Sequence, residues 1–378
     1  MKLLELEVKR FRSLRDGCIE LGGLNLFIGA NASGKSTILD VLRFLHEVVQ
    51  MGTFEGPLFS RGGILNLAWK GEQANQIDLT LTLKDDDNEE TLEWAVQLSR
   101  KSYPFHVWEQ VRQMSEKNPP QTLLEAESGK GWWWSEDRRR VKLQQSPTSC
   151  ALTAAAADAS FPARTIADFV RRWGFFDPNP FLLRRDWTGL DSGRFDHYGR
   201  NLGETLYALY NSSPDTLEKI RSATEDILGL PERINPQESE ERFYFTQKEP
   251  GLQFPVHQMG VSSGTLRMLA LMTALLGESE ANVIGIEEPE NYVHPTALSA
   301  FVEYLLHAQG RVQLMVTTHS PLLLDLLNDP SVVYVVQRSP QAGTTVTRQA
   351  DPDGVRKALE ASGFGLGEYY QTKGFGAP

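Results

Sequence analysis

Residues 29–37 read Gly29-Ala30-Asn31-Ala32-Ser33-Gly34-Lys35-Ser36-Thr37, and this stretch is the most informative part of the sequence. It fits the pattern G-x-x-x-x-G-K-[ST], in which a glycine-rich loop surrounds phosphate groups with backbone N–H donors. Apolar residues 24–28 before the loop predict a buried strand, and residues 36–49 after it predict a helix. The helix N-terminus attracts the same anion. The sequence therefore predicts a nucleotide-binding loop between a strand and a helix.

Two side chains of this loop have specific predicted roles. Lys35 supplies a positive charge near the γ-phosphate, and the Ser36 hydroxyl is a candidate ligand of Mg²⁺. We therefore predict ATP and Mg²⁺ as cofactors. The alternative is a glycine loop that matches the pattern by chance. The candidate nucleotide-binding residues of the loop are Gly29, Asn31, Ala32, Ser33, Gly34, Lys35, Ser36 and Thr37.

A second motif lies far downstream, where the apolar run 283–286 ends in Glu287 and Glu288. In a phosphate-loop ATPase the first acid of such a strand reaches the Mg²⁺ shell, and the second orients or deprotonates the attacking water. We therefore take Glu287 as a candidate metal ligand, together with Ser36, and Glu288 as the candidate catalytic carboxylate. The alternative is an acidic turn after a core strand.

Two further motifs flank the acidic strand. Ser262, Ser263 and Gly264 open an apolar helix predicted over 268–276, and such a turn is either an anion site or an ordinary helix N-cap. His319 follows the apolar run 314–317, where it is either a structural histidine or a sensor of the γ-phosphate.

The order and spacing of these four motifs resemble the ABC-type ATPases. More narrowly, they resemble the stand-alone RecF/SMC-like branch, which is related to the ATPase part of OLD-family proteins. Residues 287–295 are similar to the acidic strand and D-loop of that branch, and residues 9–14 to its N-terminal hairpin. The resemblance covers about 1–100 and 250–345. One departure concerns the metal, since Glu287 stands where the family usually has Asp.

The resemblance implies roles for the remaining candidates. Glu288 matches the carboxylate that positions water, and His319 matches the switch histidine that contacts the γ-phosphate. Ser262, Ser263 and Gly264 match the signature turn, which closes over the ATP of a second subunit. The resemblance thus implies a homodimer that forms on ATP binding. The Q-loop glutamine of the family is unassigned; Gln73 and Gln76 are in the right interval but are more simply ordinary solvent-facing residues.

The expected fold is α/β, an ABC-type P-loop ATPase head with a mixed sheet, an N-terminal antiparallel β region and a helical or mixed insertion. We predict four segments. Residues 1–100 form the first half of the ATPase core, 101–245 the insertion and a helical arm, 246–345 the second half of the core, and 346–378 a C-terminal tail. Within the arm, helices are predicted over 203–210 and 214–228.

Composition excludes several classes of protein. The chain has 378 residues, of which 40% are hydrophobic and 23% charged. No apolar run reaches the roughly 18–20 residues that span a bilayer. The first residues alternate charged and apolar side chains rather than forming a signal peptide. Two isolated cysteines, Cys18 and Cys150, suit a reducing compartment and exclude a disulfide framework. We predict a cytoplasmic protein without a membrane partner.

The middle of the chain, about 101–245, is the part whose function is hardest to predict from the sequence. It contains Trp132-Trp133-Trp134 and Arg138-Arg139-Arg140, and basic residues slightly outnumber acidic ones between 101 and 200. Basic and aromatic residues together can bind a phosphate backbone and stack on bases. The favoured alternative is a solvated face over packed tryptophans. The net charge of −11 works against broad nucleic-acid binding but leaves room for a local patch.

Three functions compete. The first is an ATP-hydrolysing switch that dimerises head-to-tail around two ATP–Mg²⁺ and controls a separate effector protein, as in defence or toxin modules. The second is a RecF-like repair clamp whose closed dimer binds double-stranded DNA. The third is a module that binds ATP without hydrolysing it, and the presence of Glu288 argues against it. OLD-type relatives carry a nuclease domain after the ATPase, and because few residues follow His319 we expect no intrinsic nuclease.

Overall fold

The computed structural model describes residues 1–71, 76–86, 90–100, 105–115, 119–185, 194–229, 233–240, 242–277 and 280–373. The chain forms two compact units. The first contains Met1–Trp173 and Ser331–Ala350, and the second contains Gly174–Pro330 and Asp351–Pro378. The first unit is therefore discontinuous in sequence.

The strands of the described residues, in chain order, are Lys2–Phe11 (β1), Leu14–Glu20 (β2), Leu24–Ile28 (β3), Gln76–Lys84 (β4), Thr91–Ser99 (β5), His106–Met114 (β6), Gln121–Glu127 (β7), Lys130–Trp134 (β8), Arg140–Gln144 (β9), Trp173–Phe176 (β10), Arg233–Ser239 (β11), Arg242–Lys248 (β12), Val256–His257 (β13), Val283–Glu287 (β14), Gln313–Thr318 (β15), Val333–Ser339 (β16) and Gly343–Arg348 (β17).

The α-helices of the described residues are Lys35–Met51 (α1), Glu55–Ser60 (α2), Ile64–Leu67 (α3), Ala151–Ala156 (α4), Arg164–Arg171 (α5), Pro180–Leu183 (α6), Leu202–Ser212 (α7), Pro214–Leu228 (α8), Ser263–Met272 (α9), Pro295–Ala308 (α10), Pro321–Leu327 (α11), Pro352–Ser362 (α12) and Leu366–Lys373 (α13). A π-helical turn, Thr273–Gly277, continues α9.

The first unit is built on a mixed sheet with the strand order β3-β16-β17-β2-β1-β4-β5-β6-β7-β8-β9. The β3–β16 pair is parallel, whereas the pairs from β16–β17 onward are antiparallel. In β4 and β5, apolar residues alternate with polar ones and are buried on one face. This period of two is the pattern of a sheet with one face on the core and one toward solvent. The same sheet carries the strand that leads into the phosphate loop.

A buried carboxylate connects this sheet to α4. Glu109 of β6 is 1% exposed and accepts hydrogen bonds from the backbone N–H of Ala151 (2.5 Å) and Leu152 (3.4 Å) and from the Trp94 indole (3.3 Å). Burial raises the pKa of Glu109 to about 7, although the hydrogen bonds from Ala151 and Leu152 oppose the shift. Glu109 is therefore a titratable group inside the core of the first unit.

The second unit contains two parallel, buried strands, β14 and β15, whose residues are paired from Val283 with Gln313 to Glu287 with Thr317. Helices α8, α9 and α10 pack together, and α7 packs against the antiparallel sheet β11-β12-β13. The Asp325 carboxylate accepts the backbone N–H of Gly367 (2.6 Å) and so fixes α13 against α11.

Most predicted elements are confirmed by the structure. β3 and α8 have the predicted bounds, α1 and α7 begin slightly earlier and end slightly later than predicted, and the α/β class with an N-terminal antiparallel region is correct. The helix predicted over 268–276 instead starts at Ser263 and ends at Met272, where a π turn takes over. The predicted boundary between the first two segments, at residue 100, lies between strands β5 and β6, which pair with each other. The predicted division into four segments stays a prediction.

Glu109 generates a prediction about pH and stability. Because its pKa is raised in the folded state, the folded protein keeps the proton between pH 4.5 and about 7 while the unfolded chain releases it. This one group should therefore lower the free energy of unfolding by about 3 kcal/mol as the pH rises through that range. Urea unfolding at several pH values, compared between the natural chain and Glu109→Gln, measures the difference.

We expect the Glu109→Gln variant to lack this part of the pH dependence, because an amide does not titrate. The exposed Glu136→Gln provides the matched control and should retain it. Parallel curves for Glu109→Gln and the natural chain would contradict the assignment.

Candidate functional site

The phosphate loop lies between β3 and α1, and its shape depends on Gly34. This residue has φ 109° and ψ 13°, a left-handed conformation that favours glycine. A Cβ atom there would come within 2.2 Å of the Thr344 hydroxyl and 2.8 Å of the Ser13 hydroxyl. Ala32 also has a positive φ of 63°. The loop therefore curls tightly, and glycine is required at position 34 both for its conformation and for space.

Two residues that the sequence did not identify hold the loop in place. The Thr344 hydroxyl of β17 donates to the carbonyl of Ser33 (2.7 Å), and the backbone N–H of Thr344 donates to the carbonyl of Ser13 (2.7 Å). Ser13 in turn lies 3.1 Å from Thr37, oxygen to oxygen. Ser13 belongs to the N-terminal hairpin that the sequence singled out, but nothing in the sequence pattern indicated Thr344.

The loop residues fit the phosphates of a nucleotide. Lys35 is buried, and its ammonium group donates to the carbonyls of Gly29 (2.9 Å) and Ala30 (3.1 Å) of the same loop. Among the described residues, no side-chain hydrogen bond caps the N-terminus of α1. The Ser33 hydroxyl is buried without a hydrogen-bond partner among the described residues. The loop thus combines a cation, an uncapped helix N-terminus and a buried unpaired hydroxyl, which together suit an anion.

The predicted loop residues differ in exposure. Ser36, the candidate Mg²⁺ ligand, is exposed, and Thr37 is half-buried. Asn31 and Ala32 are exposed, and Gly29 is buried with its Cα facing the carbonyl of Val336. Of the candidate glutamines, Gln76 donates to Asp78 (2.7 Å) at the start of β4, and Gln73 lies outside the described residues.

In the second unit, Glu288 directly follows β14 in a strained conformation. Its φ is 42°, and its backbone N–H donates to the carbonyl of Thr317 on β15 (3.0 Å). The Asn291 side chain donates to one oxygen of the Glu288 carboxylate (2.9 Å). A positive φ on a residue with a side chain costs roughly 1–3 kcal/mol, and such strain is concentrated at functional sites. Glu287 ends the strand itself, half-buried and paired with Thr317.

The structure brings Glu288 and His319 together. The Nδ1 atom of His319, which follows β15, lies 3.6 Å from an oxygen of Glu288 and 3.3 Å from an oxygen of Glu290. Glu290 also accepts the backbone N–H of His319 (2.9 Å) and the hydroxyl of Thr318 (2.7 Å). The histidine is therefore held by a carboxylate at its ring and at its backbone.

Glu290 is a candidate site residue that the sequence reasoning did not single out. Its side chain is 9% exposed, and its second oxygen is buried without a hydrogen-bond partner in the described part of the chain. A buried carboxylate beside an imidazole determines which ring nitrogen carries the proton. The available signal was the third acid in the run Glu287-Glu288-Pro289-Glu290, but its target depends on the neighbouring strand β15.

The serine-rich turn opens α9, as one of the two readings of its sequence predicts. Ser262 is the N-cap residue, and its hydroxyl accepts the backbone N–H of Thr265 (3.1 Å). Ser263 accepts a hydrogen bond from Arg184 (3.0 Å). A Cβ atom on Gly264 would lie 3.1 Å from the carbonyl of Tyr292. The turn therefore packs next to the segment that follows the acidic strand, while Ser262 remains exposed.

Arg267 connects the serine-rich turn to the acidic strand. This arginine of α9 is 1% exposed and donates to the carbonyls of Glu287 and Glu288 (both 2.8 Å). It also pairs with Asp177 (3.3 Å). An arginine is rarely fully buried without such partners. A lone Arg within the apolar run of α9 was the only sequence signal for this role.

The candidate residues thus form two sets. The phosphate loop belongs to the first unit, and Glu287, Glu288, His319 and the serine-rich turn belong to the second. Among the described residues, no helix combines the length and the apolar character needed to cross a membrane.

Comparison with known proteins gives two kinds of relative. The chain is 23% identical over 358 residues to the OLD nuclease of Thermus scotoductus, in a match that covers 86% of this chain and 60% of that protein. This chain therefore spans about 60% of the length of its curated relative.

Two solved structures share the fold. One is the SmcHead bound to the C-winged helix domain of ScpA, with a TM-score of 0.50, 13% identity, and coverage of 92% of this chain and 97% of that one. The other is the Smc head domain with an extended coiled coil, bound to the C-terminal domain of ScpA derived from Pyrococcus furiosus. Its TM-score is 0.52 at 13% identity, and the match covers 95% of this chain and 98% of that one.

These findings confirm the resemblance to the RecF/SMC-like ABC-type ATPases that are related to OLD proteins. The fold is that of an SMC head, an α/β arrangement with a large mixed sheet. A family profile matches residues 24–325, from the strand before the phosphate loop to the helix after His319. The chain, a P-loop ATPase of the OLD/SMC-like kind, therefore belongs to the family described as "AAA domain, putative AbiEii toxin, Type IV TA system".

Proposed function

We propose that this protein hydrolyses ATP to ADP and phosphate and uses the cycle as a switch. ATP binding joins two chains head-to-tail around two ATP–Mg²⁺, and a separate effector protein responds to the change. The observation that carries the proposal is the approach of Glu288 and His319, 3.6 Å apart at the ends of adjacent parallel strands. A carboxylate and an imidazole at that place suit the orientation of a water and the contact with a phosphate.

The phosphate loop would bind the nucleotide with residues that are already arranged for it. The Lys35 ammonium group donates to two loop carbonyls in this structure, and it would donate to phosphate oxygens instead when a nucleotide binds. Ser36 and Glu287 would hold Mg²⁺, which when bound supplies positive charge to the phosphates. The Ser33 hydroxyl would gain the partner that it lacks in the described structure.

Glu288 would act on the attacking water. Asn291 holds one oxygen of its carboxylate at 2.9 Å, which fixes the direction of the group. His319 is positioned by Glu290 through Nδ1 at 3.3 Å, so Nε2 remains for contact with a phosphate oxygen. The chain thus separates the two tasks, with one carboxylate for the water and another for the histidine.

Exposed apolar side chains around the serine-rich turn support dimerisation. Met259 (55% exposed) precedes Ser262, and Tyr292 (64% exposed) has its carbonyl next to Gly264. Phe181 (65% exposed) belongs to α6, and α6 is followed by the Arg184 that binds Ser263. Clustered exposed apolar residues mark interaction surfaces. The proposed occupant is the phosphate-loop face of a second chain, with the serine-rich turn at its centre.

The family supports the effector part of the proposal. Its description names a putative toxin and a Type IV TA system, and such a system has a second component. We place the regulated activity in a partner protein and the ATP-dependent switch in this chain.

The first experiment tests the catalytic carboxylate. Glu288→Gln should lower ATP turnover by about 10²–10⁴-fold, because the water loses its orienting base, while ATP binding is retained. The variant should accumulate as ATP-bound dimers, measured by light scattering after gel filtration with ATP. Glu303→Gln, an exposed residue of α10, is the control and should turn over normally.

Two results would count against this proposal. A Glu288→Gln variant that stays monomeric with ATP at micromolar concentration would refute the two-chain arrangement. If double-stranded DNA strongly stimulates the turnover of the natural chain, the RecF-like clamp becomes the better function.

The serine-rich turn can be tested without removing its helix cap. Asp and Asn both cap helices well, but only Asp adds a negative charge. Ser262→Asp should therefore prevent ATP-induced dimerisation and hydrolysis, because it repels the phosphates of the partner's nucleotide. Ser262→Asn should dimerise. Both should bind ATP as monomers with unchanged affinity, measured by fluorescence titration at low protein concentration. Equal behaviour of the two variants would mean that Ser262 acts only as a cap.

The role of Glu290 can be separated from a purely structural one. Glu290→Gln keeps an oxygen for Thr318 and for the His319 N–H but removes the charge beside the ring. We expect kcat to fall roughly tenfold with KM for ATP unchanged, which is within the range of coupling between contacting residues. In a His319→Ala background the same substitution should have no further effect. Additive losses in this double-mutant cycle would show that Glu290 does not act through His319.

A further inference from the structure

The tryptophan run noted in the sequence lies on β8, and its side chains alternate between two faces of the sheet. Trp133 is 3% exposed and packs edge-on against Phe161, with ring centroids 5.5 Å apart. Trp132 and Trp134 are half-buried and on the opposite face, with centroids 5.9 Å apart. Only Trp133 is therefore needed for the core, and the other two rings cover the outer face.

The strand register places cations beside the two outer rings. Lys142 of β9 is directly opposite Trp132, and Arg140 is opposite Trp134. Directly paired residues share a face of the sheet. The Arg140 guanidinium carbon lies 4.6 Å from the centroid of the Trp132 ring. Arg140 and Lys142 are both exposed, and β9 is the last strand in the sheet order. We call Trp132, Trp134, Arg140 and Lys142 the Trp–Arg face.

Acidic residues lie on the inner side of this face, on β7, and in the turn between β8 and β9, which contains Glu136 and Asp137. Glu125 of β7 is opposite Trp132, and Glu127 is opposite Lys130. His106 binds the Glu127 carboxylate at 2.7 Å. Phosphates would therefore be repelled from β7 and attracted to β9, where Arg140 and Lys142 lie. Across β7, β8 and β9 the cations are therefore outermost, and the rings lie between them and the acids of β7.

A cavity of about 550 Å³ adjoins the same hairpin. Its lining includes Trp134 and Arg138 together with the amide side chains of Gln113 and Gln121. This volume is within the range of small-molecule sites, which lies between roughly 300 and 1,000 Å³. Amide groups beside an aromatic ring can hydrogen-bond the edge of a base whose plane stacks on the ring.

We propose that the Trp–Arg face binds single-stranded nucleic acid, with the phosphates along β9 and unpaired bases on Trp132 and Trp134. Sequence-tolerant binders of single strands combine cations that follow the backbone with aromatic rings that stack on bases. A duplex offers no free base planes to these rings, so the proposal is specific to unpaired strands. The site belongs to the first unit and contains none of the residues proposed to bind or hydrolyse ATP. The proposal therefore does not rest on the proposed switch.

The test is the binding of a fluorescein-labelled oligothymidylate to the full chain. Its length, about 16 nucleotides, is within the range of site sizes of such binders. Fluorescence anisotropy is recorded without ATP at several salt concentrations. Trp132→Leu combined with Trp134→Leu should weaken binding by about tenfold or more, because leucine keeps apolar packing but cannot stack. The dependence on salt should not change.

Arg140→Ala combined with Lys142→Ala should change the salt dependence instead. Loss of two phosphate contacts should make the slope of log K against log salt shallower by about 1.4 for a single strand. The matched control is Arg164→Ala combined with Arg172→Ala, two exposed cations elsewhere in the first unit. The control should bind like the natural chain. Circular dichroism and the thermal midpoint verify that each variant is folded. If the tryptophan variant unfolds, the charge variants still test the proposal, because their substitutions are at exposed positions.

Three results would overturn the proposal. The first is no binding by the natural chain at about 50 mM salt, which would mean that the Trp–Arg face contacts a protein partner instead. The second is equal weakening by the Arg140/Lys142 variant and by its control. The third is a duplex that binds as tightly as the single strand while a folded tryptophan variant is unaffected.

Discussion

The phosphate loop, Glu288 and His319 depend on one constraint, namely that each directly follows a buried parallel strand. The phosphate loop follows β3, Glu288 follows β14, and His319 follows β15, and the residues of these strands are almost completely buried. Strands fixed by core packing on both faces give the residues after them little freedom, and ligands bind at such carboxyl ends in α/β proteins. The strained conformation of Glu288 and the left-handed conformation of Gly34 persist because the packed strands before them fix the path of the backbone.

Local pattern was sufficient to predict the parts of the fold that depend on short segments. The apolar run 24–28, the loop pattern after it, and the helix α8, which begins at Pro214, could all be predicted because their signals lie within a few residues. The turn at Ser262 shows the limit of such signals, since a helix cap and an anion site use the same residue types. The structure shows that Ser262 caps the helix, and experiment has to test whether the turn also binds an anion.

The supporting residues could not be predicted because their partners are distant in sequence or on another strand. Thr344 closes the loop at Ser33, 311 residues away. Glu290 reaches the residues after β15, and Arg267 reaches the carbonyls at the end of β14. Trp132 and Trp134 were visible as a run, but only the pairing of β8 with β9 showed which rings share a face with the cations. In each case the sheet, and not the local sequence, determines the neighbour.

The link from Thr344 to the phosphate loop has a consequence for the order of synthesis. Strand β3 has its parallel neighbour in β16, and the hydroxyl that closes the loop comes from β17, so the loop lacks these supports until residue 348 has been made. The long segment Gly174–Pro330 of the second unit is synthesised before the first unit is complete. A chain stopped before β16 would contain every residue of the phosphate-binding motif and still lack the scaffold that shapes it. Nucleotide binding in this protein would then arise only after β17 has been synthesised.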